Sequence, residues 1–356
     1  MRKALVLVGV LAALLAGGLL PTAAQQYDGP RVALVLGAGG LGDRSINDMA
    51  FAGLTQAVAE TGVEVMPLQG SEDERAAALS DVASTYDLVM TLDARHADLV
   101  ARLAAQHPDT HFAIMDVIVD EPNVTSLWFD DHANAYLAGA LAAYVTTSQE
   151  MELANSDSVV GAIVDESAPL TPVTLLGYVQ GVCATAPETS IQVAAVSDAQ
   201  AGVTALETMQ ADGVDVVLVA MPALGTDVFD QLEQVQMYAI GSYTDLDYLA
   251  PGYVLTSTLK PVDHAVRDVV VQFVAGDLEA AGVLDYTLAG GVMGLSDMTF
   301  TRYLLPADVM QQVSDLEAAI VAGDVTVVDA RTLDEDVLAA LGENPTCAGV
   351  ERLLAR

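Results

Sequence analysis

Residues 31–68 read RVALVLGAGGLGDRSINDMAFAGLTQAVAETGVEVMPL. An apolar run at 32–36 stops at a glycine-rich loop. Apolar residues at helical spacing follow over 46–61, and a second apolar run fills 63–68. Strand, loop, helix and strand in that order make a βαβ unit, and such a unit sets its two strands parallel in one sheet.

The same rhythm runs outward along the chain. Strand-like runs are predicted at 88–92, 112–115 and 124–129, with helical spacing at 74–84 and 97–106 between them. A helix is predicted over about 133–147, and a polar break at 148–158 follows. The rhythm then restarts, with strands at 159–164, 191–196, 214–220 and 237–240 and helices at 173–184, 202–211 and 227–234. A chain of 356 residues suits two domains rather than one. Two successive open α/β units imply two lobes with a cleft between them. Ligands in such sheets bind beyond the carboxyl ends of the strands, so Asp43, Asp93, Asp116, Asp165 and the loop after Ile240 are the polar positions to watch.

Composition narrows the partners. There are 49 acidic residues against 13 basic, for a net charge of −36. A field of that sign repels nucleic acid phosphates and anionic lipid, so neither is an expected partner. The carboxylates are dispersed rather than blocked, as on a solvated acidic surface. Arg2 and Lys3, an apolar run over 4–20 and then Pro21-Thr-Ala-Ala24 describe a signal peptide cleaved near residue 24. Export is therefore expected, to the periplasm or outside the cell. No cysteine adjoins that site to carry a lipid. Cys183 and Cys347 are the two cysteines. In an oxidising compartment they either form a bridge tying the tail to the second half or remain two thiols.

The first loop, Gly37-Ala-Gly39-Gly-Leu-Gly42, matches GxGxxG after a strand, which alone suggests a dinucleotide site with Glu60 or Glu64 as the ribose acid. Against this, Asp43 puts a carboxylate where a pyrophosphate would rest, and nothing downstream resembles a hydride-transfer constellation. The five histidines show no metal-ligand spacing. No nucleophile elbow of GxSxG type occurs. No cofactor, no metal and no catalytic residue are expected.

Gly39-Gly-Leu-Gly-Asp43-Arg-Ser45-Ile-Asn47, followed by Phe51-Ala-Gly53-Leu54, resembles the opening of the basic membrane protein family of ABC-transporter substrate-binding proteins. The resemblance continues in order through Tyr86-Asp-Leu-Val, His107-Pro-Asp-Thr-His-Phe112-Ala-Ile-Met-Asp116, Pro122-Asn123-Val124 and Tyr136-Leu-Ala-Gly139. In the second half it includes Ala211-Asp-Gly-Val-Asp215, Gly225-Thr226-Asp-Val-Phe229, the segment from Leu249 to Lys260, and Leu305-Pro-Ala-Asp308. It covers roughly 30–328, and each motif alone is modest. What it implies is an α/β protein of the type I periplasmic-binding fold that binds purine nucleosides.

By that resemblance, Asp43 and Asn47 would bond the polar edges of a base, Phe51 would lie near its ring, and Asp116 would contact the ligand from the same lobe. Gly225 and Lys260 would sit by the ribose. The family commonly reads Gly-Val-Asp-Ser-Asp where this chain has Gly241-Ser-Tyr243-Thr-Asp245. Tyr243 therefore stands in for the acid that grips the ribose hydroxyls, with Asp245 as substitute if the loop shifts. Thr174 stands where a second-lobe aromatic would complete the base sandwich. The residues themselves leave other roles open: Asp43 as a helix N-cap, Asn47 as a surface helix residue, Phe51 as core beside Leu54 and Val58. Lys260 is one of two lysines in the chain, the other being Lys3, and a local role rather than a solvated one is expected of it.

The expected domain plan is a signal peptide over 1–24, a first lobe over 30–142 plus 257–290, a second over 143–256 plus 291–330, and an extension over 331–356. The expected function is capture of a small molecule, a purine nucleoside by resemblance, by a monomer that hands it to an ABC permease and ATPase. A ligand-sensing module for a membrane receptor is the alternative, and a nucleoside-processing enzyme a third.

Overall fold

The computed structural model describes residues 29–355 apart from 223, 225, 280, 334–340 and 343–344. The expected signal peptide over 1–24 and Gly225 lie outside the described residues. The alternation resolves into two six-stranded sheets. The first contains β1 (Arg31–Val35), β2 (Glu64–Leu68), β3 (Leu88–Thr91), β4 (His111–Met115), β5 (Val124–Phe129) and β11 (Gly282–Tyr286), in the order β11-β5-β4-β3-β1-β2. The second contains β6 (Val159–Asp165), β7 (Ser190–Val196), β8 (Val214–Ala220), β9 (Tyr238–Gly241), β10 (Val254–Leu259) and β12 (Gly294–Leu295), in the order β12-β10-β9-β8-β6-β7. Every pairing is parallel except that of β12 with β10. The two orders are the same pattern used twice.

Helices α1 (Ile46–Thr61), α2 (Glu72–Val82) and α3 (Ala97–Gln106) connect the first sheet; α5 (Thr171–Thr185), α6 (Ala199–Ala211) and the short α7 (Leu232–Val235) connect the second. Local chemistry marks their ends. Ser71 and Glu74 form a reciprocal capping box at the start of α2, and Gly62 ends α1 in the left-handed region with its N–H on the Val58 carbonyl. The buried strands carry the near-continuous apolar runs that a sheet covered on both faces requires.

The last strand of each parallel set feeds a helix that docks on the opposite sheet. After β5, α4 (Asp131–Thr146) packs along α5. After β10, α8 (Val262–Ala275) packs along α1, with Val262, Val266, Val269 and Val270 in the core of the first sheet. The α4–α5 contact brings backbone against backbone. A Cβ on Gly139 would overlap the Tyr178 carbonyl, and one on Gly181 would overlap that of Tyr136. Glycine is needed at both positions for close approach.

A third crossing joins β11 to β12. α9 (Ala307–Ala322) then spans both cores, with Val309 and Val313 in the second and Leu316 and Ile320 against the first. The crossings near 130, 260 and 290 differ from the first expected boundary at 142, because most of α4 is buried against α5 rather than on its own sheet. Finally α10 (Cys347–Leu354) is tied to α5 by a disulfide between Cys183 and Cys347, whose Cα atoms are 5.2 Å apart. Among the described residues no helix is long and apolar enough to cross a membrane.

Candidate functional site

Because both sheets point their carboxyl ends at each other, the loops after β1, β3, β4, β6, β8 and β9 converge on one cleft with about 670 Å³ of empty space, part of it open to solvent. Its apolar walls come from both lobes: Ile46, Leu92 and Met115 from one side, Pro169, Leu170 and Pro222 from the other. Its polar lining is mostly carboxylate. Asp43, Asp93 and Asp116 face it from the first lobe and Asp165 from the second; Arg95 is the one lining cation among the described residues.

These carboxylates are not equally free. Asp43 accepts from the N–H groups of Ser45, Asn47 and Asp48 and from Asn47 Nδ2, so it works as a cap for α1. Asn47 is buried, takes the Gly37 N–H on Oδ1 at 2.7 Å, and donates to the Ala38 carbonyl and Asp43. Together the two shape the glycine-rich loop. In that loop Gly40 has φ +64, and a Cβ there would meet Gln69 Oε1, the atom that accepts from the Leu41 N–H.

Asp93 is bound by two guanidiniums, Arg75 at 3.0 Å and Arg95 at 2.6 Å. Burial alone would raise its pKa, but the hydrogen bonds and charge of Arg95 outweigh that and hold it at about 2. Asp165 is buried at the end of β6, where Oδ1 accepts from the Ser167 N–H and hydroxyl, both at 2.8 Å. No protein donor among the described residues bonds its Oδ2.

Asp116 follows β4 in a left-handed conformation, φ +67. Its Oδ1 accepts from Lys260 Nζ at 2.6 Å, and Lys260 donates also to Asp131 Oδ2 at 2.9 Å. All three side chains are at most 6% exposed. Burial pushes the Asp116 pKa up to about 6, opposed by the Lys260 charge and reinforced by Asp131. Lys260 Nζ lies 4.5 Å from the centre of the Phe129 ring. Asp131 begins α4 and Lys260 directly follows β10, so this ion triad joins two of the three crossings between lobes to the cleft floor. Asp116 Oδ2 takes no protein hydrogen bond among the described residues.

Tyr243 follows β9, also left-handed at φ +73, and is buried. Its ring lines the cleft, its carbonyl accepts from the Lys260 N–H, and its hydroxyl lies 3.4 Å from Thr174 Oγ1. Left-handed non-glycine residues cost about 1–3 kcal/mol each and gather at functional sites. Across the mouth, Arg44 of the first lobe reaches Thr226 of the second at 3.5 Å.

Of the residues named from sequence, Asp43, Asn47, Asp116 and Tyr243 line this cleft. Lys260 lies beneath it, in a small cavity with Asp131, Asn134 and Thr174. Phe51 is exposed on α1 and Asp245 is exposed beyond Tyr243, and neither lines the cleft. The apolar side chain that α1 does supply is Ile46. Arg95 and Ile46 were not named as site residues from sequence, and Asp131, which the adjacent pair Asp130-Asp131 suggests is a solvated surface acid, is instead buried on Lys260. Arg95 had a signal available, since it follows a strand end as Asp93 does. Glu60, weighed as a ribose acid, pairs instead with Arg267 on α8.

Residues 31–329 match the family described as ABC transporter substrate-binding protein PnrA-like. Among curated proteins, the chain is 28% identical over 325 residues to the CD4+ T-cell-stimulating antigen of Listeria innocua, covering 83% of this chain and 87% of that one. It is 27% identical over 326 residues to the ABC transporter nucleoside-binding protein BmpA of Lactococcus lactis, covering 83% and 88%. A solute-binding protein of an Aeropyrum pernix ABC transporter system superposes with a TM-score of 0.78 at 23% identity, over 92% of this chain and 98% of the other.

Proposed function

The chain belongs to the PnrA-like family of ABC transporter substrate-binding proteins, and we propose that it captures a purine nucleoside after export and presents it to an importer's permease and ATPase. The observation that carries this reading is the pair of unengaged carboxylate oxygens, one on Asp116 and one on Asp165, offered to the same cleft from opposite lobes. A ligand with hydroxyl or N–H donors at both ends satisfies both lobes at once. Its flat apolar middle fits between Ile46 and Leu92 on one side and Pro169 and Leu170 on the other. A nucleoside has that shape and that donor pattern. Four aspartates against one arginine disfavour a phosphorylated ligand. The nucleoside-binding name of the Lactococcus relative points the same way.

Capture then works without bond making or breaking. A ligand that touches both lobes favours the closed arrangement by contacts the open one lacks. Closure turns about the crossings near 130, 260 and 290, and the Asp116–Lys260–Asp131 triad couples the cleft floor to two of them. The transporter reads the closed surface.

Thermal unfolding of the purified chain in high salt tests this, with guanosine, inosine, adenosine, pyrimidine nucleosides, free bases, nucleotides and simple sugars. A ligand at about 1,000 times its Kd adds about 4 kcal/mol, which raises the midpoint by several degrees. A shift with purine nucleosides and none with nucleotides is expected. Shifts with sugars alone would sink the nucleoside assignment and point to Tyr243 and Thr174 as the reason.

A further inference from the structure

Beyond Tyr243, the loop that follows β9 carries Asp245 and Asp247, and the turn after β12 brings Asp297 beside them. One oxygen from each of the three carboxylates lies within 4.8 Å of the other two. Among the described residues no lysine, arginine or histidine pairs with any of them. Asp247 is 1% exposed. Its Oδ1 accepts from Ser296 Oγ at 3.2 Å, while its Oδ2 is sealed from solvent without any hydrogen-bond partner.

A buried carboxylate facing two others carries an electrostatic cost, and a cation between them relieves it. The local hydrogen bonds hold the group in that arrangement. Asp245 Oδ1 accepts from the Asp247 N–H at 3.0 Å. Asp297 Oδ1 accepts from the Thr299 N–H and hydroxyl at 3.1 and 2.6 Å. Each thus has one oxygen anchored by a protein donor. Oxygens that share a Ca²⁺ ion at 2.3–2.6 Å cannot stand more than about 5 Å apart, and the observed spacing meets that limit.

We propose that Asp245, Asp247 and Asp297 form a binding site for a hard divalent cation, Ca²⁺ foremost. The donors are all oxygen, which selects against zinc and copper, and two of the three residues are exposed, which leaves room for water to complete a Ca²⁺ shell. The site lies outside the nucleoside cleft but on the loop that carries Tyr243. An ion there ties that loop to the β12 turn and so fixes the aromatic side of the cleft. No local sequence pattern points to this cluster, because Asp297 stands 50 positions beyond Asp247 and only the fold joins them.

The test uses the purified chain stripped with EDTA and titrated calorimetrically with CaCl₂, without nucleoside, in about 0.5 M NaCl to screen diffuse attraction to the acidic surface. One saturable Ca²⁺ per chain is expected, weakened at least tenfold in Asp247→Asn and in Asp297→Asn and unchanged in Asp98→Asn, an exposed acid on α3. Ca²⁺ should raise the thermal midpoint of the parent chain and leave that of Asp247→Asn unmoved. In EDTA, Asp247→Asn should be at least as stable as the parent, since it removes a buried charge. The inference is overturned by no saturable binding, or by equal Ca²⁺ responses in all three variants, which would mean charge screening alone.

Discussion

Replacing Lys260 by methionine removes the one cation that two buried carboxylates share. The distances are 2.6 Å to Asp116 and 2.9 Å to Asp131, and each of the three side chains is at most 6% exposed. Breaking a buried ion pair by removing one partner costs about 3–5 kcal/mol. Here both orphaned groups are anionic, which places the expected loss at the upper end, a fall of some thousandfold in the ratio of folded to unfolded chain at pH 7. The loss must depend on pH. Without Lys260, the folded-state pKa of Asp116, already raised by burial, rises further above its unfolded value near 3.9. The native state then binds more protons than the unfolded one across that interval, so stability recovers as pH falls toward 4 and is lost as pH rises. Urea unfolding followed by circular dichroism at pH 7 and pH 5 measures both effects, and Lys260→Met combined with Asp116→Asn should regain part of the loss. A loss under about 1 kcal/mol at pH 7, or the same loss at both pH values, would refute the reasoning.

Three further outcomes follow from the geometry. Ile46→Ala should weaken ligand binding about tenfold while Phe51→Ala leaves it within about twofold, measured by titration calorimetry, because Ile46 lines the cleft and Phe51 faces solvent. Cys347→Ser should lower stability by about 2–5 kcal/mol in chemical denaturation, since the Cys183–Cys347 bridge spans 164 residues, and reduction of the parent chain should match it. Asp93, held at about 2 by Arg95 against the upward pull of burial, contributes stability that is present above pH 4 and lost as pH falls toward 2. Asp93→Asn should therefore flatten the parent's acid-unfolding profile in that window.

The sequence made the parallel βαβ rhythm readable because its buried strands are unbroken apolar runs. The predicted strand over 124–129 and helix over 46–61 coincide with β5 and α1. β10 carried no such signal: Val254-Leu-Thr-Ser-Thr-Leu259 holds three hydroxyl residues in a row. It is nonetheless buried, because Thr256 and Ser257 bond Ser296 and the Leu246 N–H inside the lobe. The predicted helix over 227–234 shortens to a 3₁₀ turn at Phe229–Gln231 and α7, which ends at Gln236 in the left-handed region.

At the cleft, Asp43 and Asn47 were named through the family resemblance, but their hydrogen bonds turn inward to hold the loop. Ile46 and Phe51 share a helix and differ by five residues, about 140° of rotation. Helical periodicity shows that one of them faces the core side, and the position of the cleft at the helix start decides for Ile46. The Lys260–Asp131 pair joins residues 129 positions apart, and Asp245 and Asp247 meet Asp297 through the same kind of long closure. No local pattern announces such contacts; they exist because crossovers bring distant strand ends together.

Calorimetric titration of guanosine into the parent chain and into Asp116→Ala tests the central claim most directly. The expected result is saturable binding of one nucleoside per chain by the parent, reduced at least a hundredfold in Asp116→Ala, with guanosine monophosphate giving no binding to either. Absence of binding to the parent by guanosine, inosine and adenosine alike, or binding that Asp116→Ala leaves intact, would contradict it.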